Sequence, residues 1–202
     1  MATRDKMRQI RSVASKFTTR EDGNIPIIEG YFAVFNSIYN IGPYMSESIA
    51  PGAFSLTLDE DVRALVNHDT TLVLGRTKSK TLELRQDETG LWGRVEVNPN
   101  DRAAMDTYER VKRGDVDQCS FGFDILDEEP TPKPDGSVHW LIKSVKLYEV
   151  SVCTFPAYEE TSIQARSKER EDIIARELTQ WRAKMKGELK NGIESIDAPE
   201  ED

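Results

Sequence analysis

Cysteine and histidine are scarce: the 202-residue chain has two of each, Cys119 and Cys153, His68 and His139. Two distant cysteines make no disulfide scaffold, and nothing else points to an oxidising compartment. Neither C-x-x-C nor H-x-x-x-H spacing occurs, which argues against a zinc site, and no cofactor is implied. Gly75 precedes Arg76 rather than a phosphate-loop lysine, and S-F-G-F is not a dinucleotide fingerprint. No apolar run approaches the ~20 residues that cross a bilayer, and the basic start leads into no apolar signal segment, so the chain reads as cytosolic. Basic residues are also in deficit. With 27 against 36 acidic residues the formal charge is -9, the opposite of what a nucleic-acid-gripping protein carries. There is no internal repeat.

What remains suits one globular domain. Hydrophobic residues make up 38% of the chain, and the mean hydropathy of -0.57 leaves little for a second core. Charge is uneven: Arg4, Lys6, Arg8, Arg11, Lys16 and Arg20 crowd the first 20 residues, whereas Glu188, Glu194, Asp197, Glu200, Glu201 and Asp202 mark the end. These ends read either as solvated termini or as docking and processing segments.

Between them the pattern is strand-rich. IPIIEGYFAVF at 25–35 is β-branched and aromatic, 36–54 reads as a long shaped loop, and 62–67 is a short apolar strand leading into NHDT. TLELR and LWGRVEV flank a D-E-T-G turn, a hairpin signal. Asp101 and Gly114 bracket a helix with Met105, Tyr108 and Val111 or Lys112 on one side. CSFGFDIL returns to strand, the proline-rich 127–137 reads as a connection, and VHWLI and SVKLYEVSVCTF supply two more strands. Finally, Ile174, Leu178, Trp181 and Met185 fall on one face of a helix over 168–190, which docks on the domain or on a partner.

Three side chains suggest chemistry. His68 ends an apolar strand, where an imidazole is able to take and return a proton near neutral pH. Ser120 and Gly122 share one face of an extended S-F-G-F, with Phe121 and Phe123 on the other, so a hydroxyl stands beside a glycine that permits close approach. Alternation in KLYEVSV groups Leu147, Glu149 and Ser151, and a carboxylate in so apolar a run needs a partner. Each also has a plain structural reading: a core or surface histidine, a half-buried strand, an edge salt bridge. Cys119 adjoins Ser120 but alternation turns it to the other face.

The order EGYFAVFN (29–36), ESIAPGAF (47–54), VNHD (66–69), LGRT (74–77), GLWGRVEV (90–97), SFGF (120–123) and LYEVSVCTFPAY (147–158) resembles the prohead proteases of HK97-like tailed bacteriophages. Their fold is related to that of the herpesvirus assembly proteases. The resemblance runs from about Ile28 to Arg166, dividing the chain into a basic flexible segment 1–27, a protease domain 28–166, and an amphipathic helix with an acidic tail, 167–202. It implies a mixed β/α fold: a compact β-barrel-like serine protease domain surrounded by helices. It also implies a serine endopeptidase with His68 as general base, Ser120 as nucleophile and Glu149 as the orienting acid; Asp69, Asp124 and His139 compete for that third role. Arg166, through its backbone or a bound water, is a further candidate near the oxyanion. The implied substrates are the major capsid precursor with its scaffold-like segment and the protease itself. The setting is the assembling prohead in the host cytoplasm, with self-association allowed, DNA not required and no membrane. The competing reading is an inactive capsid-assembly or scaffold-binding protein on the same fold; an esterase lacks its G-x-S-x-G elbow.

Overall fold

The computed structural model describes residues 9–14, 17–23, 25–155 and 160–194. The charged side chains at positions 4, 6, 8, 16, 188, 194, 197 and 200–202 therefore lie outside what is described. Eleven strands and two helices are present among the described residues: β1 (Gln9–Ala14), β2 (Thr18–Asp22), β3 (Ile25–Val34), β4 (Tyr39–Gly42), β5 (Met45–Ile49), β6 (Arg63–Val66), β7 (Asp69–Arg76), β8 (Leu82–Gln86), β9 (Gly90–Glu96), α1 (Arg102–Arg113), β10 (Gln118–Pro132), β11 (Val138–Cys153) and α2 (Glu160–Glu194).

They form two sheets, not one closed barrel. The larger runs β1-β10-β11-β5-β4, with β6 pairing β11 and β7; the smaller runs β2-β3-β9-β8. The larger sheet curls strongly. Arg11 of β1 aligns through Phe121 with Val150 of β11, whereas Glu47 of β5 aligns with Trp140, ten residues away along β11 and so about 33 Å away in a flat sheet at ~3.3 Å per residue. Yet Arg11 Nη2 on β1 reaches Glu47 Oε2 on β5 at 3.1 Å. Phe32, Phe54, Phe121, Phe123, Leu91 and Val150, all inaccessible to solvent, belong to the core between the layers.

Local signals account for several elements. The Asp101 carboxylate accepts from the Ala103 and Ala104 amides at 3.0 and 3.2 Å, and Gly114 closes α1 at φ 86°, a left-handed cap that favours glycine. Between β8 and β9, Asp87 accepts from the Thr89 and Gly90 amides and shapes the turn.

Elsewhere tertiary pairing overrides local pattern. The stretch 36–54 contains the β4–β5 hairpin, and β5 adds parallel to β11. β10 continues through the proline-rich stretch to Pro132, shortening the connection to 133–137. Pro130 and Pro132 are tolerated because, among the described residues, β1 pairs only with 118–123 and no strand pairs with the outer edge of β10 where these prolines lie. VHWLI and SVKLYEVSVC form one continuous strand. Residues read as a flexible start supply β1 and β2. Helix α2 begins at Glu160, before the expected boundary: Ile173 and Ile174 pack against Met45, Val138 and Trp140, whereas Leu178, Trp181 and Met185 stay exposed.

Candidate active site

A two-residue turn presents His68. Val66 pairs with Asp69, leaving Asn67 and His68 to close the β6–β7 hairpin with φ of 50° and 62°. Positive φ at both central positions is the turn that matches strand twist, and Asn and His tolerate it better than most residues. The hairpin is pinned to the end of β11, where the Asn67 amide donates to the Val152 carbonyl and the Thr154 amide to Asn67 Oδ1, both at 2.9 Å.

From this turn the imidazole lies against β11. Nδ1 is 2.8 Å from Glu149 Oε1, a carboxylate whose residue is 4% exposed. Ser151 Oγ donates to Glu149 Oε2 at 2.6 Å and accepts from the His68 amide at 3.3 Å. The buried carboxylate thus has a partner on each oxygen, as a buried charge requires. Nε2 faces Cys153 Sγ at 3.8 Å. Burial favours the neutral ring, but the Cys153 sulfur and the Glu149 carboxylate favour the protonated one and win, raising its pKa to about 9.

Gly122 makes this pairing sterically feasible. It lies opposite Glu149 in the ladder, and a Cβ there would fall 2.4 Å from Glu149 Oε1. The close approach anticipated at this glycine is therefore by a side chain of the neighbouring strand. The register also separates Leu147 from Glu149. A bulge between the Gly122 and Phe123 pairings sets Leu147 opposite Phe123 in the core, while Glu149 stays on the Gly122 face.

Ser120 lies directly opposite Ser151, on the same face as Glu149 and Gly122. Such cross-strand partners have Cβ atoms about 5 Å apart. Its hydroxyl is fully buried and donates to the Arg11 carbonyl of β1 at 2.9 Å; among the described residues it makes no hydrogen bond to His68. Phe121 and Phe123 anchor the strand in the core, their rings 4.9 Å apart. Cys119 shares that face, its Sγ within 3.2 Å of the Tyr31 carbonyl.

The competing residues stand elsewhere. Asp69 caps its own turn through the Thr71 amide and hydroxyl, which hold its carboxyl below the usual range. Asp124 accepts from the Tyr148 hydroxyl at 2.6 Å. His139 sits between the hydroxyls of Ser46 and Ser48, each at 2.9 Å, and burial lowers its pKa. Arg166, considered for the oxyanion, is 1% exposed and donates to Glu128 at 2.7 Å and to Glu47 and Glu169 more loosely, its guanidinium over the Trp140 ring. Residue patterns did not reveal the parts played by Asn67, Ser151 and Glu47. For Ser151 a signal existed, its shared face with Glu149.

Known proteins match at the level of both sequence and fold. The prohead protease of Enterobacteria phage HK97 is 36% identical over 154 residues, covering 74% of this chain and 63% of that protein. That of Escherichia phage T5 is 30% identical over 118 residues, covering 58% and 50%. The chain thus spans less than two thirds of the length of either relative. The bacteriophage T4 capsid assembly protease superposes with a TM-score of 0.53 at 12% identity, over 75% of this chain and 99% of that one, a likeness of fold alone. Residues 13–175 match the Caudovirus prohead serine protease family, a span that includes His68, Ser120 and Glu149, and the chain belongs to that family.

Proposed function

We propose that this chain is the serine endopeptidase of an assembling prohead, cleaving the scaffold-like segment of the major capsid precursor and segments of itself. The observation that carries this reading is the hydrogen bond between His68 Nδ1 and the buried Glu149 carboxylate, one ladder step from the Ser120 hydroxyl. A carboxylate on Nδ1 fixes the tautomer in which the neutral ring presents Nε2 as proton acceptor, a form that grows as pH rises towards about 9, and stabilises the imidazolium once formed. In the working form Ser120 Oγ turns from the Arg11 carbonyl to His68 Nε2. His68 takes its proton as Oγ attacks the scissile carbonyl, then gives that proton to the departing amine. Water hydrolyses the acyl-enzyme by the same steps in reverse. Backbone amides are the natural donors to the oxyanion, since the Arg166 guanidinium itself is committed to carboxylates and leaves only that residue's backbone or a bound water for such a role.

In this reading residues 28–166 are the catalytic body, on a fold related to herpesvirus assembly proteases, and the exposed Leu178, Trp181 and Met185 of α2 serve incorporation into the prohead. The test is incubation of the capsid precursor with wild type and with Ser120→Ala, followed by mass mapping. Defined fragments with wild type alone are expected. Equal fragments from both, or none from either while the protein still enters proheads, would replace this reading with another nucleophile or with an assembly factor.

A further inference from the structure

The backbone amide of His68 lies off the ladder between β6 and β7, because Val66 pairs directly with Asp69 and the two turn residues have no cross-strand partners there. It donates instead to the hydroxyl of Ser151 on β11, at 3.3 Å. That hydroxyl donates in turn to Glu149 Oε2 at 2.6 Å, the length of a charge-assisted bond. Glu149 Oε1 lies 2.8 Å from His68 Nδ1. These three bonds close a loop that begins and ends on His68, running from its amide through Ser151 Oγ and the Glu149 carboxylate to its own ring.

Strand alternation builds the loop. Glu149 and Ser151 are two residues apart on β11 and project from one face, and Ser151, which has no exposed surface, lies between Ser120 on β10 and Leu65 on β6. A hydroxyl has a single proton and two lone pairs on one rotor. With the His68 amide on a lone pair, the rotor is set and the proton is aimed at Glu149. The carboxylate needs such a restraint, because the last torsion of a glutamate side chain has a broad, soft profile. Asn67 fixes the other half of the turn through Val152 and Thr154, so the two turn residues are held by separate attachments.

We propose that Ser151 is a positioning residue of the active site: its hydroxyl, set by the His68 amide, holds the Glu149 carboxylate in the plane that orients the His68 ring. This rests on the assignment of His68 as general base. Without the hydroxyl, Glu149 Oε2 loses its donor in a place closed to solvent, and the carboxylate turns away from the imidazole to recover one. The ring then loses the partner that sets its direction. Ser120 keeps its own hydroxyl and its bond to the Arg11 carbonyl, so the loss falls on proton transfer and spares binding.

The test uses the full chain and a fluorogenic peptide spanning a cleavage site mapped in the capsid precursor. Ser151→Ala is expected to lower kcat by roughly 10–10²-fold with KM within about twofold, the scale on which a misplaced catalytic group loses rate. With Glu149→Ala already in place, the same substitution should lower kcat by no more than about twofold, because the hydroxyl acts through that carboxylate. Ser151→Cys, a near-isosteric but weak donor, carries the same expectations should the alanine variant not fold. A second readout needs no turnover. The chain has two histidines, so imidazole-labelled protein gives two rings by NMR, with His139 as internal reference. Exchange of the His68 Nδ1 proton with water should be at least about fivefold faster without the Ser151 hydroxyl, and that of His139 unchanged. A kcat within about twofold of wild type, an equal loss in both backgrounds, or unchanged His68 exchange would each overturn the proposal. If wild type cleaves nothing while the His68 proton responds as expected, the positioning role stands and the protease reading falls.

Discussion

Gly122→Ala isolates the contact that lets a histidine and a carboxylate meet. The new methyl carbon would lie 2.4 Å from Glu149 Oε1, whereas ordinary contact begins at 3.4 Å. The atoms it would meet all belong to the Glu149 side chain, so the carboxylate must swing away by about 1 Å while the strands keep their ladders. Retreat of the carboxylate by that amount stretches the 2.8 Å bond to His68 to about 3.8 Å, beyond hydrogen-bonding range. The expected result is a fall in kcat of roughly 10²–10⁴-fold with little change in KM, the scale on which triads lose function when the imidazole is held wrongly. Stability should fall by about 1–3 kcal/mol, because a buried carboxylate loses one of its two partners. Peptide-cleavage kinetics and urea unfolding measure the two effects. A double-mutant cycle supplies the decisive comparison: with Glu149→Ala already in place the methyl group has room, and Gly122→Ala should then cost no more than about 0.5 kcal/mol and no further activity. Wild-type kcat in Gly122→Ala, or an equal penalty in both backgrounds, would refute the steric argument.

Three further outcomes are expected. Glu149→Gln should lower turnover by roughly 10–10⁴-fold while His139→Ala, whose ring bonds two serine hydroxyls, should change it little; the reverse order would move the third role to His139. The folded protein holds the His68 proton more tightly than the unfolded chain, whose ordinary value is about 6.5. The stability this contributes is complete below that pH and is lost as pH rises through about 9, so melting temperature should decline across this window in wild type and less steeply in His68→Gln. Arg166→Ala leaves Glu47 with Arg11 alone and uncovers Trp140, and should cost about 3–5 kcal/mol in chemical unfolding; a loss under about 1 kcal/mol would show that the buried cluster adds no net stability.

Sequence alone determined what depends on a few neighbouring residues: the Asp101–Gly114 helix caps, the hairpin around Asp87–Gly90, the turning of Phe121 and Phe123 away from Ser120, and the candidacy of His68 and Glu149. Each is a matter of local dihedrals, short-range hydrogen bonds or strand alternation, and these carry the same meaning wherever the segment lies. Tertiary structure alone decided the rest. Whether prolines 130 and 132 interrupt a strand depends on which edge is unpaired, and whether Leu147 shares a face with Glu149 depends on a bulge set by β10. The occupant of the Ser120 hydroxyl, the purpose of the Gly122 hydrogen and the pairing of Arg166 with Glu47 are likewise contacts between segments 27 to 119 residues apart in the chain. Such contacts are selected by the register of one strand against another, and because side chains alternate, a one-residue difference in that register reverses every face. No window of sequence contains that information; it arises only when the strands are laid side by side.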